Sequence, residues 1–155
     1  MRPEIISRDR LVIMGLTGEG SKTGEVWEEF EKRYGKEPFP KADACWYEIR
    51  FYDTPRAKDV HVGAATEGAG DIGEFTAVAL PASQYAVFDV YVAQGYDSGN
   101  AQMEQWLADH AGQYRQGWLD GAGYVVECYN EKFKGGGQPD SIVEIWVPVA
   151  KEGGP

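Results

Sequence analysis

The chain has 155 residues, 43% of them hydrophobic and 13% aromatic, so it can form a globular core, and we expect one domain over residues 1–155. Its formal net charge of −10 argues against direct binding to nucleic acid or to anionic membrane surfaces, which repel acidic proteins. The charge is compatible with cationic partners, although acidity is also an ordinary way of staying soluble.

The first half of the chain predicts a strand, a helix and two further strands. The apolar run 10–18 ends in glycine and indicates a strand. A helix is predicted between Thr23 and Gly35 from apolar residues at helical spacing. These residues are Val26, Trp27, Phe30 and Tyr34. Alternating residues then predict strands over 44–55 and 59–68.

The second half repeats this order. A short strand within 74–83 precedes a predicted strand over 84–95. A helix is predicted over 100–119, from an apolar stripe that runs from Met103 to Trp118. Two more strands, 124–133 and 142–150, complete the half.

The repeated order predicts an α+β fold built from two β-α-β-β halves. Trp27 and Trp106 are 79 residues apart, and so are Glu48 and Glu127. We expect the duplicated halves to form an antiparallel sheet with two helices on one face and a ligand cleft on the other. The two pseudo-repeats cover about 8–68 and 80–150.

Strand alternation predicts that acidic and aromatic side chains gather on the helix-free face. Glu144 is the only charged residue in the apolar segment 142–149, where a carboxylate is costly to bury without a partner. Arg50 and Lys132 are the cations expected nearest to this face. The candidate ligand-binding residues are Glu127, Glu144, Tyr129, Trp146, Trp46, Glu48, Tyr52 and Tyr91.

This combination of residue types points to a flat, lipophilic organic cation as ligand. Aromatic faces attract cations, and a carboxylate among them adds a full negative charge in a weakly screened setting. The alternative is that Glu127 and Glu144 lie on a solvated sheet face, as is normal in antiparallel sheets. Trp146 and Tyr129 would then only pack across strands.

No metal or cofactor site is predicted. His61 and His110 are far apart in sequence, and the glycine-rich stretch 17–24 lacks the spacing of a phosphate-binding loop. Cys45 and Cys128 form no CxxC motif, and Cys128 is expected on the helix-facing side as a buried thiol. With no recognisable signal peptide or membrane span, we expect a cytoplasmic protein with reduced thiols.

Two segments carry a resemblance to a known family. In 124–151 a Glu-x-Tyr strand, a glycine-containing loop and a Glu-aromatic-x-x-Pro strand follow one another, and 80–90 has the pattern Pro-small-x-x-Tyr-x-x-Phe. In these features the chain resembles the effector-binding domains related to the gyrase-inhibitory protein, which also follow the DNA-binding modules of AraC-type and MerR-type multidrug regulators. The likeness spans roughly residues 4–151.

The resemblance implies a cleft between the two halves that binds hydrophobic, often cationic small molecules. It also implies a buried glutamate that faces the ligand among aromatic residues, and either Glu127 or Glu144 fits this part. The first strand begins near Arg10, which leaves no room for a DNA-binding module before it. We therefore expect a stand-alone binding protein without direct nucleic-acid or membrane contact.

Three functions are compatible with the sequence. The first is binding of lipophilic cations or drugs, with no catalytic residue and no cofactor. The second is an enzyme, a hydrolase of electrophilic natural products as some relatives of this family are, in which Glu127 or Glu144 activates water with the help of Tyr129. The third is a protein-interaction role, with gyrase or a transcription regulator as partner.

Overall fold

The structure is a computed structural model, and it describes residues 3–52, 59–68, 70–119, 122–135 and 137–151. The helices are α1 (Thr23–Lys36) and α2 (Tyr96–Asp109), with 3-10 turns at Gly20–Lys22 and Val92–Gln94. The strands are β1 (Glu4–Arg8), β2 (Leu11–Gly18), β3 (Trp46–Tyr52), β4 (Val60–Thr66), β5 (Thr76–Leu80), β6 (Ser83–Tyr91), β7 (Tyr114–Gln116), β8 (Trp118–Leu119), β9 (Ala122–Tyr129) and β10 (Ile142–Lys151).

All strands join one antiparallel sheet in the order β1-β6-β10-β9-β3-β4-β2-β5. The short strands β7 and β8 pair with β10 and β9. One half supplies β2, α1, β3 and β4, and the other supplies β6, α2, β9 and β10. The halves meet at the centre of the sheet, where β3 pairs with β9. The predicted α+β class with duplicated β-α-β-β halves is confirmed.

Both helices pack on the same face of the sheet. Phe30 of α1 is buried against a cluster that includes Met14 and Val62. Met103 of α2 is buried against a second cluster that includes Phe88 and Ile145. Burying one large apolar side chain contributes about 1.5–3 kcal/mol, so these stripes hold the helices to the sheet. Neither helix in the described ranges is long and apolar enough to cross a membrane.

The helix-free face is covered by the curling of the sheet itself. Its core joins Leu80 of β5 and Tyr85 of β6, although these strands lie far apart in the strand order. Trp146 is 1% exposed at the middle of this core, and its ring packs against Tyr47 and Tyr85. The guanidinium of Arg8 lies 4.4 Å from the Trp146 ring centroid and covers it from the edge strand β1.

The structure differs from the sequence prediction at several elements. Strand β1 was not predicted, because its five residues were too few and too polar to show alternation. The second helix is 96–109 and not 100–119, because β7 pairs with the end of β10 instead of extending the helix. Tyr114 still stacks on Trp106, which explains why it fitted the helical stripe. Strand β3 ends at Tyr52, and 53–58 lies outside the described residues.

Strands β2 and β4 come unusually close at Gly15 and Gly63, which are direct partners in the register. A Cβ atom added to either glycine would run into the backbone carbonyl of the other strand. These two glycines therefore allow the close pairing that holds β4 under α1.

Candidate functional site

Two glutamates face each other at the junction of the halves. Glu48 on β3 and Glu127 on β9 are direct partners in the register, on the side of the sheet that carries the helices. Their side chains are 3% and 9% exposed. Two like charges this close and this buried are unfavourable unless a cation or a shared proton compensates them.

The predicted site residues are divided between the two faces. Glu127 pairs with Ile145, and Glu144 pairs with Cys128, so the two glutamates point to opposite sides. Alternation predicts both glutamates on the helix-free face, and for Glu127 this is wrong. The prediction puts four further candidates on that face, and it is wrong for these too: Tyr129, Trp46, Glu48 and Tyr52. It was wrong because alternation gives parity within one strand, while the register between β9 and β10 depends on the loop that joins them.

Five candidates lie on the helix-bearing face, and three do not. The five are Glu127, Tyr129, Trp46, Glu48 and Tyr52. On the helix-free face Trp146 is part of the core, Glu144 is largely buried, and Tyr91 is 42% exposed beside Ile142. Cys128 is buried on this face too, and not on the helix-facing side where it was predicted.

Arg50 bridges the two buried carboxylates. Its Nε donates to Glu48 Oε2 at 2.7 Å and to Glu127 Oε2 at 3.0 Å. Its terminal nitrogen donates to Thr23 Oγ1 at the start of α1, at 3.1 Å. Arg50, expected from the sequence only as one of the two nearest cations, thus pairs directly with both acids. Because one guanidinium serves two carboxylates, its charge compensates only one of them.

The remaining carboxylate oxygens are bound by aromatic side chains. Trp27 Nε1 of α1 donates to Glu48 Oε1 at 2.7 Å. The hydroxyl of Tyr129 donates to Glu127 Oε1 at 3.1 Å. The rings of Trp27 and Tyr129 meet edge to face, with centroids 5.8 Å apart. The network thus fixes both carboxylates and joins α1 to the central strands.

The surroundings of Glu127 change its protonation. Burial, followed by the charge of the neighbouring Glu48, raises the pKa of Glu127 to about 8. Burial and the nearby Glu127 carboxyl also raise the pKa of Tyr129, whose hydroxyl stays a donor at any ordinary pH. The raised pKa therefore favours the protonated form of Glu127 near neutral pH.

A cleft runs along the central strands between the helices. Its aromatic section has a volume of about 500 Å³ and lies beside α1. It is lined by Trp27, Phe30, Glu31, Tyr34, Gly35, Trp46, Tyr129 and Phe133. Its acidic section has about 320 Å³ and contains Glu48, Glu127, Arg50 and Tyr96 of α2. Tyr129 lines both sections, so the carboxylates adjoin the aromatic space.

A third section lies at the other end of the acidic one. Its volume is about 430 Å³, and its lining includes Tyr52, Asp59 and Glu104. Arg50 belongs to both this section and the acidic one. At the aromatic end the ammonium of Lys41 lies 3.6 Å from the Trp46 ring centroid, so this ring already attracts a cation of the protein itself.

Glu144 is compensated within the helix-free face. Lys132 Nζ lies 2.9 Å from Glu144 Oε2, and Trp146 Nε1 donates to Glu144 Oε1 at 3.0 Å. Partial burial raises the pKa of Glu144, but these hydrogen bonds lower it more, and the pKa lies below its ordinary value. Lys132, the second cation expected from the sequence, is therefore confirmed as the partner of this acid.

Trp27 and Tyr96 are among the cleft residues that the sequence does not predict. Trp27 was assigned to the apolar stripe of the first helix, but its indole nitrogen reaches a carboxylate. Tyr96 was outside the predicted helix and lies at the start of α2. The signal for Trp27 was its polar ring nitrogen, which needs a partner when the ring packs against a sheet.

The buried His61 has structural partners. Its ring nitrogens lie 2.8 Å from Thr17 Oγ1 and 2.9 Å from the carbonyl oxygen of Ile13. Within the described ranges, His, Cys, Asp and Glu residues form no group of three that could hold a metal ion.

No protein-family model matches the chain, and no curated protein is significantly similar to it. Among solved structures, SAV2435 bound to tetraphenylphosphonium is 16% identical, with 97% of this chain and 94% of that chain covered and a TM-score of 0.68. The EcmrR C-terminal domain is 12% identical, with 97% and 98% covered and a TM-score of 0.66. A hydrolase from Listeria innocua is 12% identical, with 96% and 92% covered and a TM-score of 0.53. At these identities the likenesses show the fold alone, and in fold they confirm the resemblance to the effector-binding domains related to the gyrase-inhibitory protein.

Proposed function

We propose that this protein binds small, lipophilic aromatic cations in the cleft along β3 and β9. The observation that carries the proposal is the buried pair Glu48 and Glu127, which shares a single arginine and adjoins a 500 Å³ aromatic section. In this proposal the cation lies near the carboxylates, and its aromatic groups pack against Trp27, Trp46 and Tyr129.

The electrostatics support a cation over a neutral ligand. With both carboxylates ionised the network carries one uncompensated negative charge at low exposure to water. A bound cation removes that charge and displaces the proton that otherwise neutralises Glu127. We propose Glu127, together with Glu48, as the acid that faces the ligand, since Glu144 lies on the other face and is paired with Lys132.

Tetraphenylphosphonium tests the proposal, with tetraphenylborate as an anion of the same shape and triphenylphosphine oxide as a neutral analogue. Tryptophan fluorescence reports binding, because Trp27 is in the carboxylate network. We expect saturable binding of the cation and none of the anion. Glu127→Gln should weaken binding roughly tenfold, as expected for loss of a charged partner. Glu144→Gln is the matched control and should bind like the wild type.

Two results would overturn this function. Equal binding of the anion and the cation would show that hydrophobicity alone drives association. Wild-type affinity in Glu127→Gln would show that the buried acid plays no part.

The cytoplasmic location and a protein partner, gyrase or a transcription regulator, stay predictions from the sequence.

A hydrolase is the second candidate, supported by the hydrogen bond between Tyr129 and Glu127 and by the raised pKa of Glu127. A carboxylate with a pKa near neutrality suits a general base. With a strained-ring substrate such as an epoxide, Glu127 would take a proton from water, the water oxygen would attack a ring carbon, and the ring C–O bond would break. The alkoxide would then take the proton back from Glu127, which gives the diol and restores the carboxylate. Formation of diol from styrene oxide by the wild type, and not by Glu127→Gln, would support it; no diol above the uncatalysed rate would exclude it for this substrate.

A further inference from the structure

We propose that Arg50 competes, from within the protein, with the positive charge of the ligand and thereby restricts the cleft to ligands with a single positive charge. This inference rests on the proposed cation-binding function and adds to it the charge class of the ligand. Arg50 is then a specificity-determining residue and not only part of the fold.

The position of the guanidinium supports this role. Arg50 Nε lies 2.7 Å from Glu48 Oε2 and 3.0 Å from Glu127 Oε2, between the two acids. A ligand cation would gain most at the same position, because it is the point nearest to both carboxylates. The ligand must therefore either displace the guanidinium or bind beside it.

The exposure of the three side chains indicates which of them could move aside for a ligand. Glu48 and Glu127 are almost fully buried, whereas the Arg50 side chain is 41% exposed. Arg50 also lines the third section of the cleft, where Asp59 and Glu104 are further acids. A guanidinium displaced towards these acids would stay at the edge of the acidic section, where its charge would still oppose a second positive charge on the ligand.

Charge balance limits the number of positive charges that a bound ligand can carry. Two carboxylates and one guanidinium leave at most one net negative charge in the acidic section. One positive charge on the ligand neutralises it. A second positive charge would be buried without compensation beside Arg50, and uncompensated buried charges are strongly unfavourable. Removal of the arginine charge adds one negative charge and should admit a doubly charged ligand.

Ethidium and propidium test this prediction, since they share one aromatic ring system and carry one and two positive charges. We expect the wild type to prefer ethidium. In Arg50→Gln the ratio of propidium to ethidium affinity should rise roughly tenfold or more, as expected for one unit charge a few ångströms away in a partly buried site. Arg50→Lys keeps the charge and should keep the wild-type ratio. Arg115→Gln, at an exposed position on β7, is the matched control and should not change the ratio.

A purely structural role would lower stability without changing the affinity ratio. An unchanged ratio in folded Arg50→Gln therefore overturns the inference while the binding function stands. If that variant does not fold, Glu48→Gln decides, because the loss of one negative charge should shift the ratio further towards ethidium, and an unchanged ratio again overturns the inference. If the wild type binds neither dye saturably, the proposed function fails and the inference fails with it.

Discussion

Replacement of Glu127 by glutamine should remove a pH dependence from the stability of the protein. The Glu127 side chain is 9% exposed, and burial together with the neighbouring Glu48 raises its pKa from an ordinary value of 4.5 to about 8. Between these two values the folded protein holds a proton that the unfolded chain has lost. The free energy of unfolding therefore decreases as pH rises from about 4.5 to 8, by at most about 1.4 kcal/mol per pH unit.

The glutamine variant cannot ionise, so this slope should disappear. At pH 5 the variant and the wild type should have similar stability, because both side chains are neutral. At pH 8 the variant should be more stable by about 2–4 kcal/mol, because the wild type has by then lost most of the stability that its raised pKa gives at low pH. The measurement is urea unfolding followed by far-ultraviolet circular dichroism at pH 5, 6, 7 and 8.

Glu144→Gln is the control, because the pKa of Glu144 is shifted in the opposite direction to that of Glu127. The pKa of Glu144 lies below its ordinary value, so its contribution to stability is complete above about pH 4.5 and is lost only in more acidic solution. This variant should be less stable than the wild type by a constant amount from pH 5 to 8. If Glu127→Gln also runs parallel to the wild type over this range, Glu127 is already ionised at pH 5 and the reasoning from its burial is refuted.

Three further substitutions and one control test individual contacts in the fold. Tyr129→Phe keeps the ring but removes a donor to the buried carboxylate, and urea unfolding at pH 8 should show a loss of about 1 kcal/mol. Lys132→Ala leaves Glu144 without its cation, and thermal unfolding at pH 7 should show a loss of only about 1 kcal/mol, since the lysine is partly exposed; no loss would mean that the pair contributes nothing. Gly63→Ala places a methyl group against the backbone of β2 and should cost more than about 2 kcal/mol in urea unfolding, whereas Gly24→Ala, with open space around it in α1, should be neutral or stabilising.

The sequence predicts the fold well where its elements are long and amphipathic. The stripe from Val26 to Tyr34 predicts α1 because one face of that helix alone meets the sheet. The alternation in 44–55 predicts β3 because the two faces of this strand meet different surroundings. A helix lies on one face, and the core of the curled sheet lies on the other. Short elements such as β1 and β7 escape prediction because pairing with long strands, and not their own composition, makes them strands.

The sequence predicts which kinds of residue form the candidate site, but not how they are distributed over the two faces of the sheet. Glu48, Glu127 and Tyr129 were correctly grouped on one face, because β3 and β9 pair directly at these positions. The same prediction places Glu144 and Trp146 on the face of these three residues, but they lie on the opposite one, since the register across the loop before β10 is set by long-range packing of the whole sheet. Nothing in the sequence states that two acids 79 residues apart are direct neighbours.

The position of the acid pair has a consequence in terms of symmetry. Glu48 and Glu127 occupy matching places in the two halves and lie directly opposite each other, so the approximate two-fold axis that relates β3 to β9 passes between them. Two residues further along each strand, the matching places hold Arg50 and Tyr129, a cation on one side and a phenol on the other. The cleft is therefore charged at one end and aromatic at the other. An elongated ligand that binds across this axis consequently has two unequal orientations, and only the one that directs its rings towards Tyr129 combines both kinds of contact.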